Sequence, residues 1–192
     1  TIHIAAYSHL LDTIGMPEVE YSAFLHYKEM KDKYDFLQGF GSDSKIEIAR
    51  TLAVFGAFTE GLQLFASFAI LLNFPRFNKM KGMGQIVSWS VRDETLHTNS
   101  MIRLFNTFIT ENPEIWTNSM RHDLYRICNT VVSHEDAFVG RAFELGGVEG
   151  LGPAEVKKYI RYVADRRLIQ LGLQPVFRIE QNPLPWLEGM LN

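Results

Sequence analysis

SKIEIARTLAVFGAFTEGLQLFASFAILLN, running from Ser44 to Asn73, is the stretch that decides the fold. It is several times longer than an ordinary strand, and its apolar residues recur at helical rather than alternating spacing. Asp43 or Ser44 offers an N-cap, and Pro75 lies just past the end. One long, strongly apolar helix is therefore expected. A helix so apolar over most of its circumference must be surrounded by others.

The flanking sequence supplies them. A first helix is predicted from Thr1 to about Thr13, stopping at Gly15-Met16-Pro17, and a second over roughly Glu18 to Leu37. After a turn at Lys81-Gly82-Met83-Gly84, a fourth spans about Gln85 to Thr110. Pro113 opens a fifth that reaches about Leu145, and Pro153 opens a sixth to about Leu171. Residues 172–192, with Pro175, Pro183 and Pro185, are predicted to be extended and to close on an apolar anchor of Leu184, Trp186 and Leu187. Long helices with short connections make an all-α, up-and-down bundle, read as a single domain over 1–192.

Composition agrees with one packed domain: 192 residues, 46% of them hydrophobic. The net charge of −3, with no basic stripe, gives no sign of nucleic acid as a partner. The single cysteine, Cys128, excludes an internal disulfide and a thiolate metal cluster, and is compatible with a reducing cytoplasm. The apolar run Leu62 to Phe74 is short for a membrane span and is interrupted by Gln63, Ser67 and Asn73. The chain opens on Thr1 and turns apolar at once with Ile2, Ile4, Ala5 and Ala6, which reads as a helix entered midway.

Three places carry chemistry. Glu94 and His97 stand at i and i+3 in Val91-Arg92-Asp93-Glu94-Thr95-Leu96-His97, so on a helix they share a face and could share a metal. Such a pair also arises by chance. Glu60 sits among Val54, Phe55, Phe58, Leu64, Phe65 and Phe68, where a carboxylate is costly unless paired or bound to a cation. The bland alternative puts it on a thin polar stripe with Thr59, Gln63 and Ser67. His3 and Tyr7 stand at i and i+4, and each is equally at home as a hydrogen-bonded core residue.

Taken in order, these segments resemble the small subunit of class I ribonucleotide reductases. Thr1-Ile2-His3 through Tyr7-Ser8-His9 is similar to that family's E-T-I-H-x-x-x-Y-(S/T)-H segment without its opening Glu. Glu60 through Ala69 resembles its third-ligand helix, Arg92-Asp93-Glu94-Thr95-Leu96-His97 its R-D-E-x-L-H signature, and Asn182-Pro183-Leu184-Pro185-Trp186 its closing segment. The resemblance implies a ferritin-like bundle with a carboxylate-bridged di-metal site, most simply iron, with Mn/Fe or Mn/Mn also suited to carboxylate and imidazole ligands. His3 would hold the first metal, Glu60, Glu94 and His97 the second, with Glu94 bridging. Tyr7 matches the tyrosine oxidised to a stored radical, and Asp93 a carboxylate that orients His3 on the electron route. Leu64 and Phe68 would wall off the radical. Ser90 departs from the pattern, which has a bulky aliphatic there, and puts a hydroxyl beside the radical. Trp186 is read as a packing anchor.

The implied partners are a second copy in a homodimer and a catalytic large subunit that converts ribonucleotides to deoxyribonucleotides. An Asp of the preceding helix, the Glu before Thr1, the relay Trp and a C-terminal tail with a relay Tyr have no match in these 192 residues. A separate N-terminal fragment supplying the two missing carboxylates is therefore expected. Intein cleavage, which leaves Ser, Thr or Cys first, or proteolysis would produce it. Two other readings remain open on sequence: another ferritin-like carboxylate protein, with no use for Tyr7, and a metal-free helical interaction protein.

Overall fold

The computed structural model describes residues 2–22 and 26–191, the side chains of Ile2 and Leu191 excepted. Seven α-helices are found among the described residues: α1 (Ile2–Thr13), α2 (Lys28–Leu37), α3 (Lys45–Arg76), α4 (Lys81–Glu111), α5 (Asn118–Ala142), α6 (Pro153–Gln170) and α7 (Pro185–Leu191). No strand occurs among them beyond one isolated bridge, Val148 to Leu151.

Helix α3 is the hub. Ser44 caps it by accepting a hydrogen bond from the Glu47 amide at 3.2 Å, satisfying one of the amides that a helix start leaves free. It runs past Asn73 and takes Pro75 into its last turn. Val54 to Gln63 is wound as a π-helix, so the axis carries an overwide segment in the middle of the bundle. Helix α3 is long and apolar enough to cross a membrane, but its apolar window lies mainly inside the fold, as that of a core helix does.

Helices α4, α5 and α6 close around the π segment, and α4 also packs against the rest of α3. The approach of α4 is close. A Cβ on Gly56 would come within 2.4 Å of the Met101 Cβ, so only glycine fits at that crossing. The core is continuous, built from Ala53, Phe58, Leu62, Leu72, Phe105, Leu124, Ile127, Ile160 and Leu168. Helix α1 lies on the edge of the bundle against α4, and α2 lies on α5.

Four expectations need correction, the first being the turn predicted at Lys81-Gly82-Met83-Gly84, which is instead the first turn of α4. The second predicted helix is broken: Glu18–Ser22 is a 3-10 turn without buried residues, and Tyr27 has the extended backbone of an N-cap before α2. Val19, the aliphatic side chain of that turn, is exposed. The fifth predicted helix starts later, because Pro113–Ile115 forms a separate 3-10 turn and Thr117 caps α5 through the Met120 amide. The extended segment 172–192 ends in helix α7, which Pro185 opens at the position where its missing N–H costs nothing. Thr1, with which the first predicted helix begins, lies outside the described residues.

The rest of the terminal segment is pinned. Asp165 on α6, almost wholly buried, accepts from the amides of Val176 (2.8 Å), Phe177 (2.9 Å) and Ile179 (2.9 Å). Leu184 and Leu187 are buried, and the Arg76 guanidinium lies 4.9 Å from the Trp186 ring centre, which makes Trp186 part of the packing.

Candidate metal centre

Each candidate ligand is held by the helix that carries it. The π segment of α3 presents Glu60, α4 presents Asp93, Glu94 and His97, and α1 presents His3 and Tyr7. Glu60, Glu94 and His97 converge: one donor atom from each lies within 4.8 Å of the others. His3 joins them from the far side of Glu94.

The two oxygens of Glu94 face different imidazoles. Its Oε1 is 3.9 Å from Nδ1 of His3, and its Oε2 is 3.6 Å from Nδ1 of His97. Both separations exceed a hydrogen bond. They match two donor atoms on one ion, which with metal–ligand bonds of about 2 Å stand about 3–4 Å apart. The second nitrogen of His3, Nε2, is 3.1 Å from Oδ2 of Asp93. A proton shared there keeps the Nδ1 lone pair free and turned towards Glu94.

The charges also favour a cation. Burial pushes the Glu60 carboxyl above its ordinary pKa, and the neighbouring Glu94 adds to the rise, with His97 opposing. Among the described residues no hydrogen bond satisfies Glu60, so two acids face each other with little to offset them. A divalent ion between them would. Carboxylate oxygens with imidazole nitrogens suit iron or manganese, and these residues fit such an ion.

Tyr7 and Ser90 meet: the phenol donates to Ser90 Oγ at 3.0 Å. Buried Cys128 lies elsewhere on α5, its thiol pushed up to about 12 by burial, and takes no part.

Two features near the site were not read from sequence. One is the π winding. The other is Arg167 on α6, whose Nε donates to the Gly61 carbonyl at 2.8 Å, next to Glu60. A Cβ on Gly61 would meet Arg167 Nε at 2.8 Å and Thr98 Cγ2 at 2.9 Å. The glycine lets an arginine and a threonine close on the backbone that carries the ligand.

The sequence model of the family described as ribonucleotide reductase, small chain, matches residues 1–183. The chain belongs to that family.

Its relatives agree. It is 44% identical to a probable ribonucleoside-diphosphate reductase small subunit of Invertebrate iridescent virus 3, across all of this chain and 56% of that protein. It is 28% identical to the ribonucleoside-diphosphate reductase subunit beta of Chlamydia pneumoniae, across all of this chain and 58% of that one. The chain thus spans a little over half the length of these curated relatives. The fold is similar to the ribonucleotide reductase R2 subunit from Clostridium botulinum, with a TM-score of 0.91 at 22% identity over the whole chain and 62% of that structure. It is also similar to the dimanganese(II) NrdF of Streptococcus sanguinis, with a TM-score of 0.83 at 20% identity over 99% of the chain and 66% of that structure. The bundle is of the ferritin-like type shared by such subunits.

Proposed function

We propose that this chain is the ligand-bearing part of a radical-generating ribonucleoside-diphosphate reductase subunit, with a di-metal centre at Glu60, Glu94, His97 and His3. The observation that carries the proposal is Glu94, whose two oxygens each face the Nδ1 of a different histidine. A carboxylate so disposed would suit two ions, one held with His3 and one with Glu60 and His97. The bound metals, iron or manganese, supply an oxygen-activated, one-electron oxidising centre.

The chain's own residues then divide the work. Asp93 fixes the His3 tautomer through Nε2 and lies on the electron route. Tyr7, one turn from His3, stores the oxidising equivalent as a neutral radical and passes it to a catalytic large subunit that reduces ribonucleotides. Leu64 and Phe68 belong to the apolar wall that keeps reductants from it. The family's ligand set has two further carboxylates beyond these four residues. The subunit works as a cytoplasmic homodimer.

Metal analysis and electron paramagnetic resonance test this. The intact subunit is expected to bind two ions per chain and to give a tyrosyl signal after exposure to oxygen. Tyr7→Phe should abolish the signal and keep the metal. A signal that survives Tyr7→Phe removes Tyr7 from the mechanism, and a metal content unaffected by Glu94→Ala removes the centre.

A further inference from the structure

Ser90 is 3% exposed and one turn before Glu94 on α4. Its hydroxyl has one hydrogen to give and two lone pairs to receive with. It gives the hydrogen to the Ile86 carbonyl at 3.1 Å and receives the Tyr7 phenol hydrogen at 3.0 Å. That second contact is the one hydrogen bond the Tyr7 hydroxyl makes among the described residues.

The chain from Tyr7 through Ser90 to Ile86 leads nowhere for a proton. A helix carbonyl shares a hydrogen but cannot keep one. The Ile86 carbonyl is also the regular α-helical acceptor for the Ser90 amide, so the hydroxyl's bond to it is a second one and dispensable. Oxidation of Tyr7 to a neutral phenoxyl would remove one electron, to the oxidised metal centre of the proposed function, and the phenolic proton, to water by a route other than Ser90. Its oxygen can then only accept. The Ser90 O–H is the donor in reach, and it needs only to turn about its Cβ–Oγ bond while both oxygens stay in place.

We propose that Ser90 is a positioning residue for Tyr7 whose hydrogen bond reverses with oxidation, accepting from the phenol and donating to the phenoxyl radical. This rests on the reading of Tyr7 as the radical site. A side chain that merely filled space would give the radical no exchangeable hydrogen.

The test uses the intact subunit loaded with metal, oxidised, and exchanged into deuterium oxide. Pulsed electron–nuclear double resonance of the tyrosyl radical is expected to resolve a strongly coupled exchangeable deuteron. Ser90→Ala should lose that coupling and raise the largest g value, as for a phenoxyl without a hydrogen bond. Ser90→Thr, which keeps the hydroxyl, should retain both and guards against misfolding of the alanine variant. Absence of the coupling in the unmodified protein, or its persistence in Ser90→Ala, overturns the proposal. In metal-free protein, nuclear magnetic resonance should find the Tyr7 hydroxyl proton protected from exchange, and protection should vanish in Ser90→Ala. If no tyrosyl radical forms at all, the reading of Tyr7 fails and the radical half of the proposal with it. The metal-free measurement still decides the phenol half: protection unchanged in Ser90→Ala refutes it.

Discussion

Asp165 on α6 and Glu60 on α3 are both acids set into an apolar bundle, and they differ in what the chain provides for them. Asp165 receives three backbone amides from the terminal segment. Glu60 receives no hydrogen bond among the described residues and faces a second acid, Glu94. On the α5–α6 side Glu135 pairs with the Lys33 ammonium, although burial still raises its carboxyl. On the α3–α4 side the proposed centre would supply the counter-charge. The contrast supports the proposed site: the fully buried Asp165 is matched by amides, whereas the half-buried Glu60 and Glu94 are set against each other.

The comparison can be broken most directly at Glu94. Glu94→Ala should abolish loading by inductively coupled plasma mass spectrometry, a larger loss than from His3→Ala or His97→Ala. Asp93→Ala should weaken affinity on the order of 10–100-fold, because His3 loses the partner that orients it. On the opposite side, Asp165→Ala should cost about 3 kcal/mol or more in denaturant unfolding, since partly buried amides lose a charged acceptor. Metal per folded chain should stay the same. A fall in metal content there would erase the distinction between the two sides.

Gly61→Ala belongs to both. Overpacking against Arg167 and Thr98 should cost about 1–3 kcal/mol, and thermal unfolding of the metal-free protein should report it. Metal content should fall too, because the strain is next to Glu60. The smallest effect concerns Glu135. Burial raises its carboxyl from 4.5 to about 7 despite Lys33. An acid whose folded pKa is raised holds its proton more tightly when folded. Its contribution to stability is thus present below about pH 4.5 and is lost as pH rises through 7. Glu135→Gln should flatten the stability profile across that window, measured by unfolding at a series of pH values.

Much of this was legible in residue order. The Ser44 cap, the helical run after it and the Glu94–His97 spacing are local, and short-range geometry determines them. Glu60 was legible as an acid out of place. The π winding was not, because the same residues suit either helix. One contact that holds it, from Arg167 to Gly61, reaches across 106 positions. The Tyr7–Ser90 bond likewise joins residues 83 apart. The resemblance flagged Ser90 as unusual, but only the packing of α1 on α4 gives its hydroxyl a partner. The 3-10 turn at Glu18–Ser22 was missed because its residues suit an α-helix equally well, and none of them is buried.

The π segment has a consequence for how this helix tolerates insertion and deletion. Elsewhere in α3 the turns close on the fourth residue, whereas between Val54 and Gln63 they close on the fifth. Removing one residue from that interval would let ordinary winding resume, and the residues left within it would change face relative to the two ends of α3. Glu60 would leave the site while the helix kept its length and its apolar character. The overwide turns act as a phase adjuster between the two ends of α3, so their length should be less free to vary than the residues that fill them.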